Sequence, residues 1–188
     1  MKPLFSSEEQ QLLLSLSRDV LENELKGMRH NLNNHWREAF DVFRGIFVTL
    51  RMYDDLRGCI GQIEPTRKLY DNVITLSKSA AFHDRRFSPV VERELDSIEI
   101  EISVLTDPVA VSGNTTQEKM TQIRPFIDGV VLKAERQSAT YLPQVWDSFS
   151  DHDAFISSLS RKAGFSADYW KYNPVELLTY QVTHFKET

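Results

Sequence analysis

Ser97-Ile98-Glu99-Ile100-Glu101-Ile102-Ser103-Val104 alternates between apolar and polar side chains without a break. Successive side chains of an extended chain point to opposite faces. Ile98, Ile100, Ile102 and Val104 therefore face a core, while Glu99, Glu101 and Ser103 face away from it. This is the least ambiguous strand in the chain, and the other elements can be placed outward from it.

Upstream, Leu69, Val73, Leu76 and Ala80 recur at helical spacing after Pro65, which predicts a helix over 66–82. Before it, Gly45-Ile46-Phe47-Val48-Thr49-Leu50 is β-branched and aromatic, Asp54-Asp55 supplies turn chemistry, and Leu56 to Gly61 reads as the returning arm of a hairpin. A polar passage containing His30 and His35 separates these strands from an N-terminal helix. Ser6 and Glu9 form its capping box, and Leu12, Leu13, Leu16 and Val20 form a stripe that runs to about Leu25.

Downstream, Asp107-Pro108 ends the strand, and Ser112 to Thr116 leads into a short helix near 117–123. A small lobe inserted around 106–127 is expected there. Asp128-Gly129 signals a tight hairpin returning through Val130 to Leu132, and Thr140 to Pro143 suits another short strand. Asp151 reads as the N-cap of a helix buried through Phe155, Leu159 and Ala163 and stopped by Gly164, and 177–185 alternates as a final strand. Mixed order with hairpin signals gives an α+β layout, a largely antiparallel or mixed sheet flanked by helices.

Composition narrows the function classes. The chain has 188 residues, with 22 Lys plus Arg against 27 Asp plus Glu, for a formal charge of −5. That is the wrong sign for a general nucleic-acid binder, despite a possible local patch of Arg57, Arg67, Lys68, Arg85 and Arg86. No apolar run approaches the roughly 20 residues of a membrane helix, and the N-terminus turns acidic where a signal peptide is apolar, so a cytoplasmic protein is expected. The single cysteine, Cys59, excludes an intramolecular disulfide framework and agrees with a reducing compartment. Five histidines form no i, i+4 pair, which leaves no local zinc motif, and phosphate-cradling glycine loops and the Gly-x-Ser-x-Gly elbow are absent.

Chemistry concentrates in Leu56-Arg57-Gly58-Cys59-Ile60-Gly61. If this strand is regular, Arg57 and Cys59 share a face, roughly 6.6 Å apart. Making thiolate the majority form at pH 7 needs about 1.5 pKa units, or roughly 2 kcal/mol. A cation ~7 Å away supplies about 0.6 kcal/mol at the dielectric of water and about 2.4 kcal/mol at an effective value near 20, so activation requires a sheltered site. Cys59 is either an inert, packed thiol with Arg57 bound to a carboxylate such as Asp84 or Glu101, or a nucleophile or redox thiol with Arg57 and Glu101 as its assistants. Gly58 and Gly61 imply a bulge, close packing or approach of a ligand. Downstream, Ala80-Ala81-Phe82-His83-Asp84-Arg85-Arg86-Phe87 places mixed charge where a helix runs out. Asp84 and Arg86 there either bind an anion or form a helix-ending ion pair, and His83 is either a general base or a cap.

These blocks, with Ile100 to Leu105, Asp128-Gly129-Val130-Val131-Leu132, Ala139-Thr140-Tyr141-Leu142-Pro143-Gln144-Val145-Trp146 and Arg161-Lys162-Ala163-Gly164, closely resemble the AMMECR domain family, called AmmeMemoRadiSam system protein A in bacteria and archaea. Arg136-Gln137-Ser138 departs from the more glycine-rich approach to the Ala-Thr-Tyr-Leu-Pro block. The resemblance implies a two-lobed α+β fold with a cleft near the hexapeptide. It also implies association with a Memo-type protein and a radical S-adenosylmethionine protein, but neither a cofactor nor a reaction. Expected roles on that basis are binding of a small molecule, peptide or partner through Arg57, Gly58, Gly61, Asp84 and Arg86, or thiol catalysis by Cys59 with Arg57 and Glu101.

Overall fold

The computed structural model describes residues 4–28 and 34–187; the passage around His30 lies outside them. The chain divides into two compact units, one running to Leu105 and resuming at Thr183, the other Thr106–Val182. The insertion expected around 106–127 begins at that point but continues to Val182. The layout is not one sheet: the strands between Val109 and Tyr180 pair with one another to form a second sheet.

In the first unit, helix α1 (Ser7–Leu25) starts at the Ser6/Glu9 capping box, and a short helix α2 (Asn34–Ala39) follows. Strands β1 (Ile46–Met52) and β2 (Asp55–Gln62) form the expected antiparallel hairpin. Its turn is Tyr53-Asp54, not Asp54-Asp55, and both residues have positive φ (53° and 67°), the backbone of a type I′ turn that matches strand twist. Helix α3 (Leu69–Phe82) and a 3₁₀ turn (Glu92–Ser97) lead into β3 (Ile98–Leu105). With β8 (Val182–Lys186), these strands form a four-stranded sheet in the order β2-β1-β3-β8. Ile98, Ile100, Ile102 and Val104 are buried as the alternation requires, against Leu13, Val20 and Leu21 of α1 and Val73, Leu76 and Ala80 of α3. At an α1–α3 contact, Ser77 donates to the Val73 carbonyl, which leaves the Ser17 hydroxyl to donate to Ser77 Oγ at 2.7 Å. Arg18 closes the unit by donating to Glu187 and to the carbonyls of Leu95 and Ile98.

The second unit contains β4 (Val109–Ala110), α4 (Thr116–Met120), β5 (Gly129–Ala134), β6 (Gln137–Tyr141), α5 (His152–Lys162), α6 (Tyr169–Tyr172) and β7 (Glu176–Tyr180). Its sheet runs β4-β7-β5-β6, antiparallel throughout. Asp128-Gly129 is not the hairpin turn. Asp128 is buried and accepts from Arg124 N, Nε and Nη2 at 2.9, 3.0 and 2.7 Å, and the chain instead reverses at Glu135-Arg136. The single strand expected over 177–185 is two strands in different sheets, with Gln181 between them. Trp146 stacks on Phe155 at 3.7 Å between centroids and anchors the core of Val130, Leu132, Ile156, Leu159 and Leu177.

Candidate functional site

Strand β2 is an outer strand, and its pairing with β1 corrects the regular-strand expectation. Leu50 faces Gly58 and Arg51 faces Leu56, so Arg57 is the extra residue of a bulge. Leu50 and Arg51 point to opposite faces, and so do Gly58 and Leu56. Strict alternation, which grouped Leu56 with Gly58 and Arg57 with Cys59, therefore breaks at Arg57. Its guanidinium binds Glu94 of the 3₁₀ turn through Nε and Nη2, both at 3.0 Å, and neither Asp84 nor Glu101 is its partner. That fork holds the Glu94 carboxyl below its ordinary range. Arg57 Nη1 is buried with no hydrogen-bond partner.

The glycines serve close packing. A Cβ on Gly58 would lie 2.2 Å from the Ala80 carbonyl oxygen, so α3 rests directly on the strand, and a Cβ on Gly61 would lie 2.2 Å from the Phe47 ring.

Asp84 and Arg86 converge on Cys59, but on its backbone. Thr49 and Cys59 face each other across a non-hydrogen-bonded position of the hairpin, which turns the Cys59 N–H and C=O toward the free edge of the sheet. Asp84 Oδ2 accepts from Cys59 N at 2.9 Å, and Arg86 Nη2 donates to Cys59 O at 3.0 Å. Arg86 also grips Asp84 through Nε at 3.0 Å and Nη2 at 2.7 Å. The pair satisfies the outward groups of Cys59 as a neighbouring strand would. Chiefly through its hydrogen bonds, Arg86 holds the buried Asp84 carboxyl far below the carboxylate range, so Asp84 is a fixed anion and not a proton acceptor near neutrality. His83 ends α3 through its backbone N–H, and its side chain is exposed.

The half-buried Cys59 thiol accepts a hydrogen bond from Thr49 Oγ1 at 3.2 Å. Glu101 lies in the same row but beyond Thr49, two strand spacings away, or about 9.6 Å by sheet geometry. It accepts from Arg51 Nε at 2.8 Å and lies 3.7 Å from His184 Nε2. The structure thus joins Cys59, Asp84 and Arg86 while separating them from Glu101 and committing Arg57 to Glu94. Sequence reasoning passed over Thr49 and Glu94. Thr49 has no motif value until register is known; Glu94 lies outside the quoted blocks, although its spacing before the alternating strand suits a cap.

Among the described residues, no group of three or more His, Cys, Asp and Glu side chains is placed to hold a metal ion, and no helix is long and apolar enough to cross a membrane.

The architecture defines the class as an α+β protein built on two separate four-stranded sheets, with an outer hairpin strand clamped from the end of a helix. The AMMECR1 family matches residues 14–185, and the chain belongs to that family. It is 33% identical over 184 residues to a protein of Methanothermobacter thermautotrophicus, covering 97% of this chain and 96% of the relative. It is 34% identical over 187 residues to protein MJ0810 of Methanocaldococcus jannaschii, covering 98% and 92%. Among solved structures, protein PH0010 of Pyrococcus horikoshii is similar with a TM-score of 0.85 at 28% identity, over 97% of this chain and 93% of that one.

Proposed function

We propose that this chain is a binding component of a modification system that also contains a Memo-type protein and a radical S-adenosylmethionine protein. On this reading it takes an anionic group of a small ligand or partner at the 83–86 loop beside β2. The observation that carries the reading is Arg86. One edge of its guanidinium is tied to Asp84 and to the Cys59 carbonyl, yet 56% of the side chain remains exposed. An arginine already fixed by the fold loses little further side-chain entropy on binding a carboxylate or phosphate. Arg85 beside it is also exposed. Because Asp84 neutralises Arg86 locally, recognition here is short-range and geometric, which suits a chain of net charge −5.

Calorimetric titration with the purified Memo-type and radical S-adenosylmethionine proteins from the same source tests this. A complex that Arg86→Ala weakens about tenfold and Cys59→Ser leaves unchanged is expected. Absence of any complex, or one indifferent to Arg85 and Arg86, overturns the reading.

A cysteine-dependent enzyme is the second reading, favoured by a half-buried Cys59 whose thiol is held by the Thr49 hydroxyl. It is the weaker of the two, because Asp84 faces the backbone amide and Glu101 is engaged with Arg51. Alkylation of Cys59 at pH 7 faster than a free thiol would promote it above the first.

A further inference from the structure

The second unit carries a groove of about 520 Å³, remote in sequence from the Cys59 region and unused by the reading above. That volume lies within the range of small-ligand sites. Asn114 and Gln117 line one side, Lys171, Tyr172 and Asn173 the other, and Asp153 in the first turn of α5 also lines it.

Hydrogen bonds hold the walls in place. Glu118 accepts from the Asn114 backbone N–H at 2.8 Å and fixes that turn. Asn173 Nδ2 donates to the Tyr169 carbonyl at 3.1 Å, which sets the amide plane and leaves Oδ1 as an acceptor. Trp170, buried beneath the groove, donates to Ser157 Oγ at 3.1 Å and anchors α6, while the neighbouring Tyr172 is 80% exposed. The fold thus presents a flat aromatic face from an anchored segment.

Charge and donor inventory then select the ligand. Asp153 and Lys171 cancel, and Lys171 Nζ lies 5.1 Å from the Trp170 ring centroid, so the groove lacks the cation cluster that a nucleotide or sugar phosphate needs. The amides of Asn114, Gln117 and Asn173, with the Asp153 carboxylate, offer both donors and acceptors to groups that are themselves both, as hydroxyls are. An exposed ring beside such planar polar groups matches the apolar C–H face and equatorial hydroxyls of a pyranose. A peptide would need separate apolar recesses for its side chains, and this wall offers one open ring. We infer that the groove binds a neutral saccharide, with a sugar ring on Tyr172 and its hydroxyls held by Asp153 and the three amides.

The test is titration of the ¹⁵N-labelled full chain with maltose, cellobiose and diacetylchitobiose, alongside triglycine and glucose 1-phosphate as peptide and anionic comparators. At least one disaccharide should shift amides confined to 114–117, 153 and 170–174 and change Trp170 fluorescence. Tyr172→Ala should weaken that response about tenfold and Tyr172→Phe should restore most of it, with an unchanged thermal midpoint because Tyr172 is exposed, and Asp153→Asn should weaken it severalfold with a small fall in midpoint from its place at the helix N-terminus. No response to any disaccharide, a response unaffected by Tyr172→Ala, or a stronger response to triglycine or the sugar phosphate overturns the proposal. Because the 83–86 loop takes no part, the outcome is independent of the partner titration.

Discussion

Strands β2 and β6 occupy the same position in their respective sheets, each an outer strand returned by a tight hairpin, yet their free edges are closed differently. At Cys59 both outward main-chain groups are met, the N–H by Asp84 and the C=O by Arg86. At Thr140, Lys162 Nζ from the end of α5 donates to the carbonyl at 2.9 Å and passes over the Tyr141 ring at 4.7 Å. An ion pair closes donor and acceptor together and locks the first edge, whereas one ammonium closes only an acceptor. Burial holds the Lys162 ammonium below the ordinary lysine range, so its charge is the less comfortable of the two closures. The comparison assigns the Asp84/Arg86 motif and the Arg161-Lys162 block a shared structural task. It leaves the exposed face of Arg86 as the part of the first edge that is available for recognition.

The largest expected effect tests how β2 is seated. Gly58→Ala drives a methyl into the α3 backbone and should cost about 3 kcal/mol in chemical denaturation. Gly129→Ala in the other unit meets the Tyr180 side chain and should cost roughly half as much.

Next is the clamp itself. Asp84→Ala leaves the Cys59 N–H unpaired and Arg86 with only the Cys59 carbonyl, and should cost about 2–3 kcal/mol. The Cys59 amide should then exchange hydrogen rapidly. Retained protection would show that the clamp is not what closes this edge.

Acid separates the two edges further. The folded pKa of Asp84 is depressed, so its contribution is complete above the unfolded carboxylate value of about 3.9 and is lost as pH falls through the lower folded value. Stability should therefore decline below about pH 4, and Asp84→Asn should flatten that decline by close to one proton. Lys162 stays protonated in acid, so the β6 edge should keep its cap. A slope identical in wild type and Asp84→Asn would remove Asp84 as its source.

Smaller still, Lys162→Met removes one hydrogen bond to an exposed edge and should cost about 0.5–1 kcal/mol. Thr49→Val, which deletes only the hydroxyl on Cys59 Sγ, should cost about 0.5 kcal/mol or less. A larger loss for Thr49 would place more weight on the sulfur contact than the geometry gives it.

What could be read from sequence follows the range of each interaction. The capped helices α1 and α5 and the alternation of β3 are local patterns, and they lie where Ser6, Asp151 and Ile98 to Val104 put them. Register is not local. The bulge at Arg57 is set by pairing with Leu50 and Arg51, so strict alternation along Leu56 to Gly61 broke although every residue in it was read as a strand. The division of 177–185 between two sheets was equally invisible, because both halves alternate and only their partners differ. Asp84 and Arg86 were found from composition at a helix end, but their contact with a backbone edge depended on knowing that β2 is outermost.

The order in which the chain leaves the ribosome gives the passage through Gln181 a further meaning. The second unit is contiguous, so all its strands are present once Val182 has been made, whereas the first sheet still lacks β8 and the Glu187 that Arg18 grips. Synthesis thus makes every strand of the later unit before β8, and the first sheet closes only across the whole length of the second unit, a contact of long sequence separation.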